Sequence, residues 1–477
     1  MTFVGRCQQL DRLQRLVDQV RDAPSGAPGK ALLIRGRRRV GKSRLVEQFI
    51  QQARLPSVFY AASGRPLNEE LRIFGEEVAL SSLPGADLFR DVELTSWDAA
   101  LRLLASAVGD TTSIVVLDEL PYLTGTDPAF EATLQKMFDR ELSRRRVLLV
   151  GIGSDLSMME QLNTYGRPFY QRATEMVVPP LSPSEVGDML GLQPADAFDA
   201  YVVTGGLPLI CAEWEQGRRL WDYLETALAD ATSALLVSAE RALAAEFPAE
   251  SQARTVLTAI GTGERTFTNI GREAGGLQQA SLSRSLRILL DKRVVAADQP
   301  LSTRPGAKDK RYRVADPYLR FWLAFLGGHI PEIERGRGDR VLARIKTSWT
   351  SWRGRAVEPV LRESLERLGP ALLHQPVGHL RTAPVVGAFW TRTNDPEIDV
   401  VLADREPLAQ QVLGVGSIKW LEHAPFGVED LGRLLQHRSQ LPGATAETPL
   451  LVLSRSGCDV DVVDHHGPEE LLDAWRR

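Results

Sequence analysis

Four short apolar runs alternate with amphipathic stretches in the first third of the chain. The runs are KALLIRG, SVFYAA, SIVVLDEL and RRVLLVGIG, and they lack the polar alternation of a half-exposed strand. Such runs are typical of parallel strands that are buried on both faces, because helices cover both sides of the sheet. The pattern over residues 1–176 therefore predicts an α/β domain with a parallel sheet.

The rest of the chain changes its pattern three times. Residues 177–250 show helical periodicity with a break at TGGLP, which predicts a helical lid. Residues 251–326 predict three helices and a β-hairpin with arms RVVAADQ and KRYRV, which is the order of a winged helix. Glycines and charges in GGHIPEIERGRGDR predict a linker over 327–353. Residues 354–477 predict a second α/β domain with strands VVGAFW, EIDVVLA, QQVLGVGSIKW and PLLVLS.

Composition excludes several classes of protein. Of the 477 residues, 43% are hydrophobic and 25% are charged, which excludes a disordered or fibrous chain. The net charge of −4 means that any affinity for nucleic acid must come from a local patch. With three cysteines, no apolar leader and no membrane-length apolar segment, we expect a cytoplasmic protein that lacks disulfides and has no membrane partner.

The most specific motif lies between the first predicted strand and the helix after it. Residues 36–43 read GRRRVGKS, which matches the phosphate-binding pattern GxxxxGK[ST] in the required strand-to-helix context. In such a loop the backbone N–H groups cradle phosphates, Lys42 reaches the β- and γ-phosphates, and the Ser43 hydroxyl ligates Mg²⁺. The candidate nucleotide-binding residues here are Gly36, Arg37, Arg38, Arg39, Val40, Gly41, Lys42, Ser43 and Arg44.

Two acidic residues end the third apolar run. IVVLDEL delivers Asp118 and Glu119 to the carboxyl edge of the predicted sheet. We expect Asp118 to share the Mg²⁺ with Ser43, and Glu119 to accept a proton from the attacking water. Proton acceptance is a step that a hydrolase needs and a pure nucleotide binder does not.

Three further residues are weaker candidates for the same site. Ser154 follows the strand VLLVGIG, where a small polar residue can sense the γ-phosphate; an ordinary turn serine is the alternative. Arg167 and Arg172, in GRPFYQRAT, either supply a charge to the γ-phosphate, within the chain or across a subunit interface, or are solvated surface residues. Lys42, Glu119 and Arg172 make up the candidate catalytic set.

Seven segments of the chain have the order and spacing of a known family. They are FVGRCQQLDRL, GRRRVGKS, VVLDELPYL, LLVGIGSDLSMM, PFYQRAT, LSPSEV and TGGLP. By these segments the chain resembles the archaeal-type ATPases, which belong to the STAND clade of AAA+-like P-loop ATPases. The resemblance implies that Gly5 and Arg6 match an adenine-side motif, and that Pro208, with Gly206, lies against the base in a GxP motif. It also implies binding of ATP and ADP with Mg²⁺ as cofactor.

The resemblance continues through YRVADPYLRFWLAFL into a domain similar to PD-(D/E)xK nucleases. Such nucleases need a helix glutamate, a strand aspartate and an acid-x-Lys on the next strand. Glu358, Asp399 and Lys419 match these positions, but Ser417 stands where the second acid is expected. Because a hydroxyl is a weak, neutral metal ligand, we expect a degenerate domain retained for binding or structure, with metal-dependent cleavage as the alternative.

A basic segment is the candidate DNA-binding surface. The segment from Ser281 to Arg313 contains nine basic residues, Lys308 among them, and only three aspartates. The third helix of the predicted winged helix and the hairpin carry the candidate residues Ser283, Arg284, Arg287, Lys310 and Arg311. Contacts to phosphates would give affinity for duplex DNA without sequence choice. A protein-binding winged helix and a solvated basic wing are the alternatives.

The sequence thus predicts an α/β protein with a parallel-sheet P-loop ATPase core, a helical lid, a winged helix and a C-terminal α/β nuclease-like domain. The expected function is Mg²⁺-assisted ATP hydrolysis, with duplex DNA, a protein or a second copy of the chain as further partner. Two alternatives remain: a nucleotide-gated switch that turns over little, and an ATP-dependent nuclease. Glu119 favours hydrolysis over the switch, and Ser417 disfavours the nuclease.

Overall fold

A computed structural model of the chain describes residues 3–24, 29–154, 156–162, 164–167, 169, 171–247, 251–305, 310–369 and 384–476. The chain separates into two compact units, Met1–Pro180 and Leu181–Arg477. None of the described helices combines the length and the apolar character that crossing a bilayer requires.

The first unit is a parallel sheet with helices. Its strands are β1 Lys30–Arg35, β2 Ser57–Ala61, β3 Ser113–Asp118, β4 Val147–Gly153 and β5 Ala173–Val177. Its helices are α1 Cys7–Asp22, α2 Lys42–Ala53, α3 Leu67–Ala79, α4 Trp97–Val108, α5 Leu120–Thr126, α6 Phe130–Arg140 and α7 Leu156–Leu162, with 3₁₀ turns at Ala86–Phe89 and Leu142–Arg144. The strand order is β2-β3-β4-β1-β5, and all pairs are parallel.

The central strands are buried as the apolar runs predict. Every residue of β3 and β4 is buried, since helices cover both faces of the sheet. The sequence did not predict β5, in which Met176 is the one buried residue. An edge strand with so little buried surface leaves no apolar run in the sequence.

The second unit begins with helices and ends with a mixed sheet. Its first helices are α8 Pro183–Leu190, α9 Pro194–Thr204, α10 Pro208–Cys211, α11 Leu220–Ala229 and α12 Ala234–Glu246. The middle part has α13 Gln252–Gly261, α14 Phe267–Glu273, α15 Gln279–Asp291, the antiparallel pair β6 Val295–Asp298 and β7 Arg311–Val314, then α16 Pro317–Phe325, a 3₁₀ turn Gly327–His329 and α17 Ile330–Glu334. Three helices and a hairpin therefore follow one another in the predicted order.

The C-terminal part of this unit follows a long helix. Its elements are α18 Gly338–Leu368, β8 Val385–Trp390, β9 Glu397–Ala403, β10 Val412–Lys419, α19 Val428–Gln440, β11 Leu450–Ser454, β12 Asp464–His466 and α20 Pro468–Asp473. The sheet order is β12-β11-β10-β9-β8, with β8, β9 and β10 antiparallel and β10, β11 and β12 parallel.

The prediction of a linker over residues 327–353 is wrong. Most of that segment is the first half of α18, a continuous helix of 31 residues. Val341, Leu342, Ile345 and Trp349 form its buried stripe, which the charged residues between them obscure in the sequence. Gly338 serves close packing rather than flexibility, because a Cβ there would lie 2.1 Å from the Leu228 carbonyl oxygen.

Candidate functional site

The order of strands in the first unit brings three chain segments to one edge of the sheet. β4 lies between β1 and β3, and all three strands run in the same direction. β1 leads into the 36–43 loop, β3 ends at Asp118, and β4 leads to Ser154. Carboxyl ends of parallel strands are where α/β proteins place their ligand sites.

The loop after β1 has the backbone of an anion cradle. Arg39 and Gly41 adopt positive φ, at 68° and 86°, and α2 begins directly after them. A Cβ on Gly36 would lie 2.4 Å from the Val178 carbonyl oxygen, so this position accepts glycine alone. Successive N–H groups curled at a helix N-terminus make a concavity for phosphate oxygens.

Lys42 is held against this loop. Its buried ammonium donates to the carbonyl oxygens of Gly36 at 2.8 Å and Arg37 at 3.0 Å. Burial lowers the pKa of Lys42, and the nearby carboxylates of Glu119 and Asp118 oppose that shift. The positive charge of Lys42 therefore lies where the loop would bind a phosphate.

The residues expected to hold Mg²⁺ come together. The Ser43 hydroxyl donates to Asp118 Oδ2 at 2.5 Å, and the backbone N–H of Glu119 donates to Asp118 Oδ1 at 2.8 Å. Burial raises the pKa of Asp118. Among the described residues no group of three or more His, Cys, Asp or Glu is arranged to hold a metal ion. One hydroxyl and one carboxylate nevertheless fit Mg²⁺, because in phosphate sites it takes its remaining ligands from water and phosphate.

Glu119 adopts a conformation that few non-glycine residues do. Its φ of 54° and ψ of 47° are left-handed, just before α5 begins. Left-handed backbone costs such a residue about 1–3 kcal/mol and is concentrated at functional sites. The Ser154 hydroxyl lies 3.0 and 2.9 Å from the two carboxylate oxygens of Glu119 and donates to them. The strained turn and this contact hold the carboxylate at the sheet edge.

Arg6 contacts the loop itself. It is buried and has a left-handed φ of 64°, directly after Gly5 at 73°. Its guanidinium donates to the Val40 carbonyl oxygen at 3.0 Å. Arg6 belongs to the segment for which the sequence suggested an adenine-side role, and here it also supports the phosphate loop. The two residues are 34 positions apart, so no local sequence pattern indicates this contact.

The remaining arginines of the predicted site have protein partners. Arg172 donates from Nε to both carboxylate oxygens of Asp139 at 2.9 Å, and Arg167 pairs with Glu131 at 2.5 Å. Arg38 reaches the Tyr122 hydroxyl at 3.4 Å, and the exposed Arg44 pairs with Glu47 at 3.1 Å. A role for Arg172 at the γ-phosphate stays a prediction.

Pro208 lies in the second unit, where it begins α10. The turn before it is tightly built, since Gly205 and Gly206 have φ of 59° and 65°. A Cβ on Gly206 would lie 2.0 Å from the Leu181 carbonyl oxygen. This close approach explains the paired glycines, while contact of Pro208 with a base stays a prediction.

In the C-terminal domain, three of the four nuclease-like positions share one neighbourhood. Ser417 Oγ and the Ile418 N–H donate to Asp399 Oδ2 at 3.1 and 2.9 Å. Glu358 accepts from Arg362 at 2.7 Å. Burial raises the pKa of Glu358 to about 7, and the charge of Asp399 adds to that shift.

Lys419, the fourth position, pairs with Asp430 on α19. Asp430 was not found from the sequence, because its contact depends on how α19 packs on the sheet. Two further acids near these positions are also engaged: Glu397 pairs with Arg311 at 2.5 Å, and Glu422 with Arg353 at 2.8 Å.

The predicted DNA-facing residues divide into two groups. Ser283, Arg284 and Arg287 are exposed on α15, whose Leu282, Leu286 and Leu289 are buried, and Lys310 is exposed before β7. Arg311, by contrast, is largely covered by neighbouring residues, and its role in DNA binding stays a prediction. Its side chain is 11% exposed, donates to Asn394 at 2.6 Å and lies 4.4 Å from the centre of the Trp390 ring. Lys308 lies outside the described residues.

Comparisons with known proteins agree with the geometry of the first unit. Residues 3–210 match a family model described as an ATPase domain predominantly from Archaea. An uncharacterized protein of Methanocaldococcus jannaschii is 23% identical over 447 residues, which cover 92% of each chain.

Two solved structures are also similar. A Walker-type ATPase of Pyrococcus abyssi is 19% identical with a TM-score of 0.45, and the match covers 67% of this chain and 96% of that one. The ORC2 protein of Aeropyrum pernix, solved in ADPNP–ADP complexes, is 13% identical with a TM-score of 0.47, covering 72% and 96%. The parallel sheet, the phosphate loop and the match of residues 3–210 to the family model all agree with a P-loop ATPase fold.

Proposed function

We propose that the first unit binds ATP with Mg²⁺ and hydrolyses it. The observation that carries the proposal is the 2.5 Å hydrogen bond between Ser43 and Asp118. It joins the phosphate loop to the strand end that also bears Glu119, so binding groups and a candidate base share one sheet edge.

In the proposed reaction, Lys42 and the loop N–H groups bind the β- and γ-phosphates. Ser43 and Asp118 hold the magnesium ion, which when bound neutralises charge on the phosphates. Glu119 orients the attacking water and accepts its proton. Ser154 holds the carboxylate of Glu119, and Gly5, Arg6 and Pro208 are the proposed adenine-side residues.

A nucleotide-gated switch is the second candidate. The contact between Ser154 and Glu119 favours it, because a carboxylate already bound to a protein hydroxyl is less available to orient the attacking water. Tight nucleotide binding with slow turnover would follow.

The test separates binding from chemistry. Lys42→Ala should abolish ATP binding or hydrolysis, whereas Glu119→Gln should keep ATP bound and slow turnover by about 10²-fold or more. Phosphate release and nucleotide binding are measured on the full chain. Glu77→Gln, an exposed acid on α3, is the matched control and should turn over like the wild type. Wild-type turnover in Glu119→Gln would exclude Glu119 as the base, and a wild type that retains ATP without hydrolysis would support the switch.

We further propose that the three-helix and hairpin part of the second unit is a winged helix that binds duplex DNA. The exposed Ser283, Arg284, Arg287 and Lys310 support the proposal, because phosphate contacts need solvent-facing cations. A protein partner or a second copy of the chain is the competing outcome. The C-terminal domain acts in binding or structure rather than cleavage, since Ser417 supplies no charge at the second acid position.

A further inference from the structure

A pocket rich in arginine lies in the second unit, between the β6–β7 hairpin, α18 and the strands β8 and β9. Six arginines from the α13–α14 connection, the hairpin, α16 and α18 line it: Arg265, Arg311, Arg313, Arg320, Arg355 and Arg362. Four carboxylates line the same space: Asp298, Glu358, Glu397 and Asp399. Guanidinium groups therefore exceed carboxylates by two, and the pocket attracts anions.

Four of the six arginines form ion pairs within the protein. The ion pairs are Arg311 and Arg265 with Glu397 at 2.5 and 3.8 Å, Arg313 with Asp298 at 2.9 Å, and Arg362 with Glu358 at 2.7 Å. Two arginines share Glu397, so the protein's own acids do not balance the charge.

The other two, Arg320 and Arg355, form no ion pair with a carboxylate in the described parts of the chain, although the charge of Glu358 favours the cation of Arg320. Arg320, on α16, is half-buried, and the loss of solvent around it lowers its guanidinium pKa to about 10. Arg355 is exposed on α18. A partly buried charge without a paired counter-ion carries a desolvation cost, and an entering anion would relieve that cost.

The size of the pocket limits what that anion can be. Its inner volume of about 50 Å³ holds roughly three or four water-sized groups, which is the number of oxygen atoms on a phosphate. Planar guanidinium groups match phosphate oxygens in pairs, which makes arginine the usual partner for this anion.

An adjoining groove indicates what the phosphate is attached to. The groove has a volume of about 610 Å³ and shares Asp298, Arg313 and Arg362 with the pocket. Glu363, Glu366 and Glu406 also line it, and these acids would repel a continuing chain of phosphates. The groove therefore suits an uncharged group that bears a single terminal phosphate.

We propose that this pocket binds a terminal phosphate group carried by a mononucleotide, with Arg320 as its main cation. The site is separate from the phosphate loop of the first unit. It uses the neighbourhood of Glu358 and Asp399 for anion binding rather than for metal-dependent cleavage.

Calorimetric titration of the full chain tests the proposal, with Lys42→Ala in every protein to reduce binding at the phosphate loop. The probes are sodium phosphate, AMP, and one oligonucleotide with a 5′-phosphate or a 5′-hydroxyl. Arg320→Met should weaken phosphate binding by about 10-fold or more, while Arg335→Gln, an exposed arginine, should leave it unchanged. AMP should bind more tightly than sodium phosphate and than the 5′-phosphorylated strand, and tighter binding of the strand would overturn the assignment to a mononucleotide. Equal affinity in Arg320→Met, or binding of no probe, would overturn the proposal.

Thermal unfolding separates a ligand role from a structural one. Without phosphate, Arg320→Met should melt at or above the parent Tm, because methionine replaces a half-buried charge that has no ion-pair partner with an apolar side chain. Phosphate should raise the Tm of the parent and have little effect on the variant. A variant Tm several degrees lower, with equal phosphate shifts in both proteins, would make Arg320 structural and refute the proposal.

Discussion

A buried ion-pair network in the second unit offers a quantitative test of the fold. Arg353, on α18, is 1% exposed and donates to Asp199 at 3.0 Å, Glu422 at 2.8 Å and the Trp420 carbonyl oxygen at 3.0 Å. The network joins α9 to the end of β10, which are more than 200 positions apart in the chain. We expect Arg353→Met, which keeps an unbranched side chain but removes the guanidinium and its charge, to destabilise this unit.

The magnitude follows from what the substitution leaves behind. Removing one partner of a buried ion pair costs about 3–5 kcal/mol. Asp199 is 6% exposed but keeps Arg455 at 2.9 Å, and Glu422 is half exposed. Both features favour a loss of stability at the lower end of this range, about 3 kcal/mol. Adding Asp199→Asn removes the stranded charge, so the double variant should lose less than the sum of the two single losses.

Guanidinium denaturation followed by tryptophan fluorescence measures this loss. Of the nine tryptophans, Trp97 alone precedes residue 181, so the signal reports mainly on the second unit. Arg433→Gln, an exposed arginine on α19, is the control and should change stability little. A loss below about 1 kcal/mol for Arg353→Met, or additive losses in the double variant, would refute the buried network.

The same network predicts a pH dependence. Burial raises the pKa of Asp199 from 3.8 to about 6. Between these two values the folded state holds a proton that the unfolded state has lost, so stability from this group falls as the pH rises through that window. Asp199→Asn should remove this fall, and denaturation at about pH 4 and pH 7 measures the difference. An unchanged pH slope in the variant would contradict the assignment.

Three further predictions concern the proposed sites. Charge reversal of Arg284, Arg287 and Lys310 should weaken duplex DNA binding and flatten its salt dependence in fluorescence anisotropy; unchanged affinity would exclude this surface. Ser154→Ala should lower ATP turnover more than ATP affinity if Ser154 positions Glu119 for catalysis, and a rise in turnover would favour the switch. Wild-type protein should not cut DNA with Mg²⁺ or Mn²⁺, whereas Ser417→Glu should gain metal binding detectable by calorimetry; robust wild-type cleavage would overturn the degenerate assignment.

The sequence alone predicts the proposed phosphate site because its signals are local. The loop is eight consecutive residues between a strand and a helix, and Asp118 and Glu119 directly follow an apolar run. Such local patterns determine the backbone conformation of their own segment, so Lys42, Ser43 and the acidic pair could be predicted together. The contacts of Ser154 with Glu119 and of Arg6 with Val40 needed the strand order, which joins residues more than 30 positions apart.

The second unit shows what only tertiary structure decides. Charged residues hide the buried stripe of α18, and Arg311 looks like any cation on a basic hairpin. Whether such a residue faces solvent depends on which distant element covers it, and here Glu397, Asn394 and Trp390 cover Arg311. The arginine pocket is likewise assembled from segments between Arg265 and Asp399. The sequence therefore determined the local motifs and the order of helices and strands, whereas packing between distant segments determined which charges are buried, paired or open to a ligand.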